Sequence, residues 1–347
     1  MALAGGATHP LAVTAAVGAG VLLAVRVSGV AAAPMAAAGL ALPYAALPAL
    51  MAALHHSPGA VGAGVWLTFV GCWLAAIVGV SRLAALDRLS RFTSRLRDLA
   101  GAALFGLWIV LLWEALVVGF AVPFVILPPP SAIWARLASS LPTLWIDFQQ
   151  TFLKAVLAGY AIGCLSGFLV AILADRVRFL RRGLLPVGNL VSALPIIGVA
   201  PIMVMWFGFD WQSKAAVVVA MTFFPMLVNT VAGLAASEDM ERDLMRTYAA
   251  GYWQSLFKLR LPAALPFIFN ALKINSTLAM IGAIVAEFFG TPIKGMGFRI
   301  STEVGRMNTD MVWAEIAVAA LAGSAFYGVV ALIERATTFW HPSFRQP

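Results

Sequence analysis

Apolar residues run along this chain in stretches of about twenty, separated by short polar and charged segments. Nine such stretches stand out, at about 11–29, 35–54, 60–80, 101–122, 152–174, 186–207, 214–236, 263–289 and 312–334. Coiled as a helix, each is long enough to cross a hydrocarbon core of roughly 30 Å, so the pattern predicts an all-α, polytopic membrane protein with about nine transmembrane helices. The stretch 186–207 contains no charged side chain. Pro195, Pro201 and Pro225 mark kinks, which bilayer helices tolerate where neighbours satisfy the freed carbonyls.

Composition narrows the class. Of 347 residues, 62% are hydrophobic and 11% charged, with a mean hydropathy of +0.92; soluble domains have about 45–50% and about 25%. A soluble enzyme, a disordered chain, a nucleic-acid binder and a disulfide scaffold are all excluded. The net charge of +8 is therefore tested first as a topology signal. If the segments 82–97, 176–182 and 238–260, the C-terminus and Arg26 share one side, that side holds sixteen Lys and Arg, against four on the other, Arg136, Lys294, Arg299 and Arg306. The bias places the Arg-rich loops and the C-terminus in the cytoplasm and, with nine spans, the N-terminus outside. Met1 to Pro10 has no Lys or Arg, so no cleavable signal peptide is expected. Cys72 and Cys164 lie within apolar runs and read as packing residues. His9, His55, His56 and His341 have no ligand spacing, so no metal site is expected.

The chain also changes character along its length. Residues 1–80 are rich in Ala and Gly and nearly free of charge, whereas the features that carry chemistry lie beyond the Arg-rich connector Ser81 to Asp98. Residues 1–100 are accordingly set apart as an N-terminal hydrophobic extension of about three spans, and residues 101–347 as a six-helix domain.

Its most informative segment is 237–262, SEDMERDLMRTYAAGYWQSLFKLRLP. Ser237 followed by acidic residues predicts a capped helix start. Leu244, Tyr248, Tyr252 and Leu256 recur at four-residue spacing, presenting one apolar face on a polar loop. That face fits either an interfacial helix on the inner leaflet or a docking helix whose side chains enter a groove on a cytoplasmic partner.

Here the residues resemble a known family. The run from Asp243 through Tyr248, Ala249, Gly251 and Tyr252 to Leu261-Pro262, continued by Ala263-Ala264-Leu265-Pro266, is similar to the EAA loop of permeases of ATP-binding cassette importers. From Leu127-Pro-Pro-Pro-Ser131 to Trp340 the chain is similar to the branch serving nitrate, sulfonates, taurine, pyrimidine precursors and riboflavin. Leu194-Pro195 through Pro201, Trp206-Phe207-Gly208, Lys273 and Gly282-Ala-Ile-Val-Ala-Glu287-Phe-Phe-Gly290 add to the match. Asp243 takes the family's acidic position and Ala249 its glycine position. Alanine there lacks glycine's access to positive φ, and Gly251 is expected to supply the turn. The resemblance covers roughly 240 residues and leaves 1–100 outside.

It implies a permease subunit in a bacterial inner membrane, paired with a second permease subunit as a homodimer. Cytoplasmic ATP-binding subunits would dock on the loop and an extracytoplasmic substrate-binding protein would deliver the solute. The chain itself has no G-x-x-x-x-G-K-[ST] phosphate loop, and Gly290 to Gly297 (GTPIKGMG) fails that pattern. No cofactor is expected in this chain; ATP and Mg would be held by the partner ATPase.

Polar residues inside spans are costly and mark candidate path positions. Asn229 lies in one span, and Asn270, Lys273, Asn275, Ser276 and Thr277 in the next. Lys273 either faces a water-filled path or pairs with a carboxylate or carbonyl. Glu287, 25 residues past Pro262 and thus about 37 Å along a helix, reads as a structural group ordering the loop 291–310. Glu114, Glu315 and Glu334 need no special role on this reading. An ion-coupled secondary transporter is the alternative, disfavoured by the lack of internal repeats and of an ionisable relay. A membrane enzyme lacks any catalytic constellation.

Overall fold

Helices account for every regular element among the residues that the computed structural model describes, which are 45–340 except 57, 60, 85–90, 193–194 and 291–292. The expected span 11–29 and most of 35–54 lie outside them, as does His341. The chain divides into two compact units, Met1–Trp134 and Ala135–Pro347.

In the first unit, helix α1 (45–56), α2 (Ala63–Ala84) and α3 (Arg91–Gly119) bury Leu54, Phe69, Cys72, Trp108 and Ala115 among themselves. Phe69 meets Trp108 edge to face, with centroids 5.6 Å apart, the arrangement the ring quadrupoles favour. Glu114 of α3 is a joint rather than a bystander. Its carboxylate accepts the Ser131 N–H at 2.9 Å and the Ser131 hydroxyl at 2.7 Å, and His55 Nε2 lies 3.0 Å away. Ser131 sits in the first turn of α4 (Pro130–Ser139), where free amides favour a negative charge.

The second unit contains α5 (Leu141–Arg176), α6 (Arg178–Ser192), α7 (Ile196–Phe207), α8 (Trp211–Ala235), α9 (Asp239–Thr247), α10 (Tyr252–Glu287), α11 (Met296–Gly305) and α12 (Thr309–Thr337). Its centre is α8, flanked by α5 and α10. Helices in lipid gain little from burying apolar area, so close approach through small residues holds them together. Gly159, Gly163 and Gly167 form such a stripe at four-residue spacing on α5. A Cβ at any of the three would collide with α8, at Val218, Thr222 and the Phe223 carbonyl respectively. Ala171 and Ala174 extend the stripe and are buried. On the other side of α8, Asn275 of α10 donates from Nδ2 to the Thr222 carbonyl at 2.8 Å and to Cys164 Sγ at 3.2 Å, joining three helices at one point.

Six stretches among the described residues are long and apolar enough to span a bilayer: Ala63–Ser81, Gly101–Gly119, α5, α8, α10 and α12. The expected span 186–207 is not one of them. It is split between α6 and α7, with Pro195 extended at φ −67 and ψ 117. Proline lacks the amide needed to continue a helix, and Pro195 stands instead as the cap at the start of α7. The 12 residues of α7 then cover only about 18 Å. Two helices are also longer than the apolar pattern indicated. Each reaches 36 residues by running through a wider π-type turn, Gln149–Val156 in α5 and Leu256–Arg260 in α10.

Candidate functional site

The loop between α8 and α10 is built from two short arms. Glu238, not Ser237, caps α9, and its N–H donates to Glu241 Oε2 at 3.1 Å. Ser237 is occupied elsewhere: its hydroxyl accepts from Arg242 Nε at 2.9 Å, while Arg242 Nη2 donates to the Ala235 carbonyl at 2.6 Å and closes the end of α8. At the far end of α9 the Ala249 N–H bonds to the Arg246 carbonyl at 2.9 Å and the Ala250 N–H to the Met245 carbonyl at 3.0 Å. These are the two bonds of a Schellman stop, which needs a left-handed residue. Ala249 itself adopts it, at φ 51. Gly251 does not supply the turn: it is extended, at φ −70 and ψ 169, and its N–H is capped by Gln254 Oε1 at 3.0 Å.

This break divides the expected apolar stripe. Leu244 and Tyr248 project from the first arm together with Met240, and Tyr248 is 77% exposed, whereas Leu256 is 0% exposed and packs inward with the half-buried Tyr252. Trp253 and Phe257, stacked at 5.9 Å, form the exposed apolar face of the second arm instead. Asp243 lies on the exposed side of α9, paired with Arg246 at 2.9 Å. Pro262 sits in the first turn after the π segment, where a missing N–H costs little.

Beneath the second arm lies a charge cluster that the sequence reading missed. Arg260 donates from Nη2 and Nη1 to the two carboxylate oxygens of Asp175, at 2.6 and 2.8 Å, and from Nε to the Leu234 carbonyl at 3.0 Å. The Tyr252 hydroxyl adds a bond to Asp175 at 3.0 Å, and the Arg176 guanidinium lies 4.6 Å from the centre of the Tyr252 ring.

The candidate path residues separate into four kinds. Asn275 and Ser276 are fully buried within the unit, and the Ser276 hydroxyl donates to the Lys273 carbonyl at 2.7 Å. Asn229 bonds back to the Pro225 carbonyl of its own helix at 2.8 Å. Lys273 pairs with Glu334 of α12 at 2.7 Å, which gives Glu334 a role the sequence reading had denied it. Asn270 remains exposed, on a face of α10 shared with Phe267, Ile274, Thr277 and Ile281.

At the opposite end of α8 and α10 the polar groups are enclosed. The start of α11 presents three amides: Gly295 N–H donates to Asp147 at 2.7 Å, Met296 N–H to Thr151 Oγ1 at 2.8 Å and Gly297 N–H to Glu287 at 2.7 Å. The Thr151 hydroxyl in turn donates a hydrogen bond to Glu287 at 2.8 Å. A helix N-terminus attracts anions, and this one is filled by the chain's own carboxylates. Gly295 has φ +127, and a Cβ there would strike the Glu287 carboxylate. Arg299 donates to Asp147 at 2.8 Å. Burial by itself would lower the Arg299 guanidinium, but the hydrogen bond and charge of Asp147 outweigh it and raise it above its ordinary value. Lys214, fully buried, donates to the carbonyls of Phe209 and Gly290. Glu315 of α12 is also fully buried, with its carboxyl group beside that of Asp147.

Residues 159–339, from the glycine stripe through the loop to the end of α12, match the family of binding-protein-dependent transport system inner membrane components. The chain belongs to this family. The permease is 31% identical over 210 residues to a probable ABC transporter permease protein of Haemophilus influenzae, covering 60% of this chain and 85% of the relative. It is 30% identical over 239 residues to the riboflavin transport system permease protein RibX of Chloroflexus aurantiacus, covering 68% and 88%. Over 237 residues it is 30% identical to the formylaminopyrimidine transport permease protein ThiX of Halalkalibacterium halodurans, covering 68% and 94%. The permease is thus a membrane transport subunit of an ABC importer, and the loop and the charge cluster lie within the matched part, as do α11 and Glu287, whereas Asp147 and Thr151 precede it.

Proposed function

We propose that the loop end of the permease faces the cytoplasm and that α9 is the seat of a separate ATP-binding subunit, which holds the ATP and Mg. The observation that carries this reading is the exposure of Met240, Leu244 and Tyr248 on one side of a helix otherwise covered with charge. The basic residues Arg176, Arg181, Arg182, Arg242, Arg246 and Lys258 cluster in the segments at the same end, as the positive-inside bias requires. A second permease copy completes the path along the exposed face of α10 that carries Asn270 and Thr277. A substrate-binding protein on the far side delivers a small organic or anionic solute, of the sulfonate, nitrate, pyrimidine-precursor or riboflavin kind. No catalytic step falls to this chain.

The test is co-purification. Replacing Tyr248→Asp puts a charge on the apolar side of α9 without touching a buried group, and is expected to reduce recovery of the ATP-binding subunit at least tenfold while membrane insertion is unchanged. Full recovery of the subunit with this variant would overturn the docking assignment.

A further inference from the structure

The second arm of the loop enters α10 through the π segment Leu256–Arg260. Such a turn has wider, less regular hydrogen bonding and recurs at functional positions. It is the point at which a push on the loop would be absorbed as local bending instead of passing to the spans. Arg260, the last residue of that segment, is the residue that the cluster holds. Its fork engages both oxygens of Asp175 at the end of α5, and its Nε engages the last turn of α8 at Leu234. The side chains are enclosed, Arg260 16% and Asp175 5% exposed, so water competes weakly for the pair. Leu256, fully buried in the apolar cluster that also holds Leu234, anchors the same turn from its other side.

We infer that Asp175 and Arg260, with Tyr252 in support, are positioning residues that lock the π segment to α5 and α8, so that displacement of the loop moves three spans as one body. The inference rests on the reading of the loop as the seat of the ATP-binding subunit. Bidentate geometry is what makes the clamp stiff: two parallel N–H bonds fix both distance and angle, which a single lysine contact does not. Among the described residues the first arm has no such lock: Arg242 ties it to Ser237 and the end of α8. Force entering at α9 therefore reaches α8 directly through the short 236–238 link and Arg242, and reaches α10 and α5 through the Ala249–Gly251 turn and then through Arg260.

Two spin labels on the complex with the ATP-binding subunit test this, one at Lys258→Cys in the π segment and one at Leu169→Cys on the exposed side of α5. With the clamp intact, the distance between them is expected to stay the same in the nucleotide-free and the ATP-vanadate states. In Asp175→Asn it is expected to broaden and shift by about 2 Å or more with nucleotide, the size of ordinary interface helix shifts, with the ATP-binding subunit still bound. Arg260→Lys, which keeps the charge and loses the fork, gives an intermediate shift and serves if Asp175→Asn does not insert. An unchanged narrow distance in both variants overturns the clamp, and so does loss of the ATP-binding subunit from Asp175→Asn, which would make the pair a docking element. Failure of the docking reading appears separately, as retention of that subunit by Tyr248→Asp.

Discussion

At the end of the Ala135–Pro347 unit that carries Glu287, polar groups from α5, α10 and α11 satisfy one another: Asp147 and Thr151 are 0% exposed and Glu287 2%. At the loop end, apolar groups project from the surface, Met240 80% and Tyr248 77% exposed, and the enclosed Asp175–Arg260 pair lies beneath them. The first end is finished within the chain, and its chemistry is that of a folding joint. The second is complete only as a surface. Residues that look alike in sequence, an acid at Asp147 and an acid at Asp243, therefore differ in what their loss should do.

The largest expected effect is at the closed end. Asp147→Ala leaves the Gly295 amide and the Arg299 guanidinium, both now paired to that carboxylate, without an acceptor. Removing one partner of a buried pair costs about 3–5 kcal/mol, so the detergent-solubilised protein should melt well below the parent. Asp147→Asn keeps an acceptor for the amide and should lose less. If both variants melted with the parent, the closed end would not be a folding joint. Tyr248→Asp draws the contrast from the other side, with a stability change within about 0.5 kcal/mol as for an ordinary surface site and a large loss of partner.

A smaller effect sharpens the loop end. Ala249 adopts positive φ, a conformation that costs a residue with a Cβ roughly 1–2 kcal/mol and glycine almost nothing. Ala249→Gly should therefore slow hydrogen exchange of the Ala249 and Ala250 amides that close the turn, and Ala249→Val should speed it. The opposite order would mean that the left-handed turn is not what shapes the two arms.

Much of this was legible beforehand. The spans 214–236 and 312–334 fall close to α8 and α12 because nothing interrupts their apolar character. The expected span 263–289 begins eleven residues late against α10, since the π segment carries Lys258 and Arg260 through the helix without a break. Pro195 was visible, yet a kink and a full break look the same in a sequence; the extended ψ decides it. The glycine stripe on α5 stood in plain view at four-residue spacing, and its partner surface on α8 did not. The clamp was the least legible feature, because Asp175 and Arg260 are 85 residues apart and only the antiparallel return of α10 beside α5 and α8 brings them together. Lys273 and Glu334 meet for the same reason, across 61 residues of chain.

The smallest expected effect separates charge from shape at the loop. Asp243 holds the family's acidic position, but its side chain is 68% exposed and its bond to Arg246 is an i,i+3 surface pair. Such pairs contribute about 0–1 kcal/mol and less in salt, so Asp243→Asn should leave the melting temperature within error. Its carboxylate also lies in the middle of α9, away from the N-terminal amides where a helix would favour a negative charge. What remains for it is the partner. If that carboxylate meets a basic surface, recovery of the ATP-binding subunit by the parent should fall as ionic strength rises, and Asp243→Asn should lower recovery at low salt and flatten the dependence; against an acidic surface both signs reverse. Recovery that is indifferent to both the substitution and the salt would leave the apolar side chains of α9 as the whole of the contact and remove the acidic position from it.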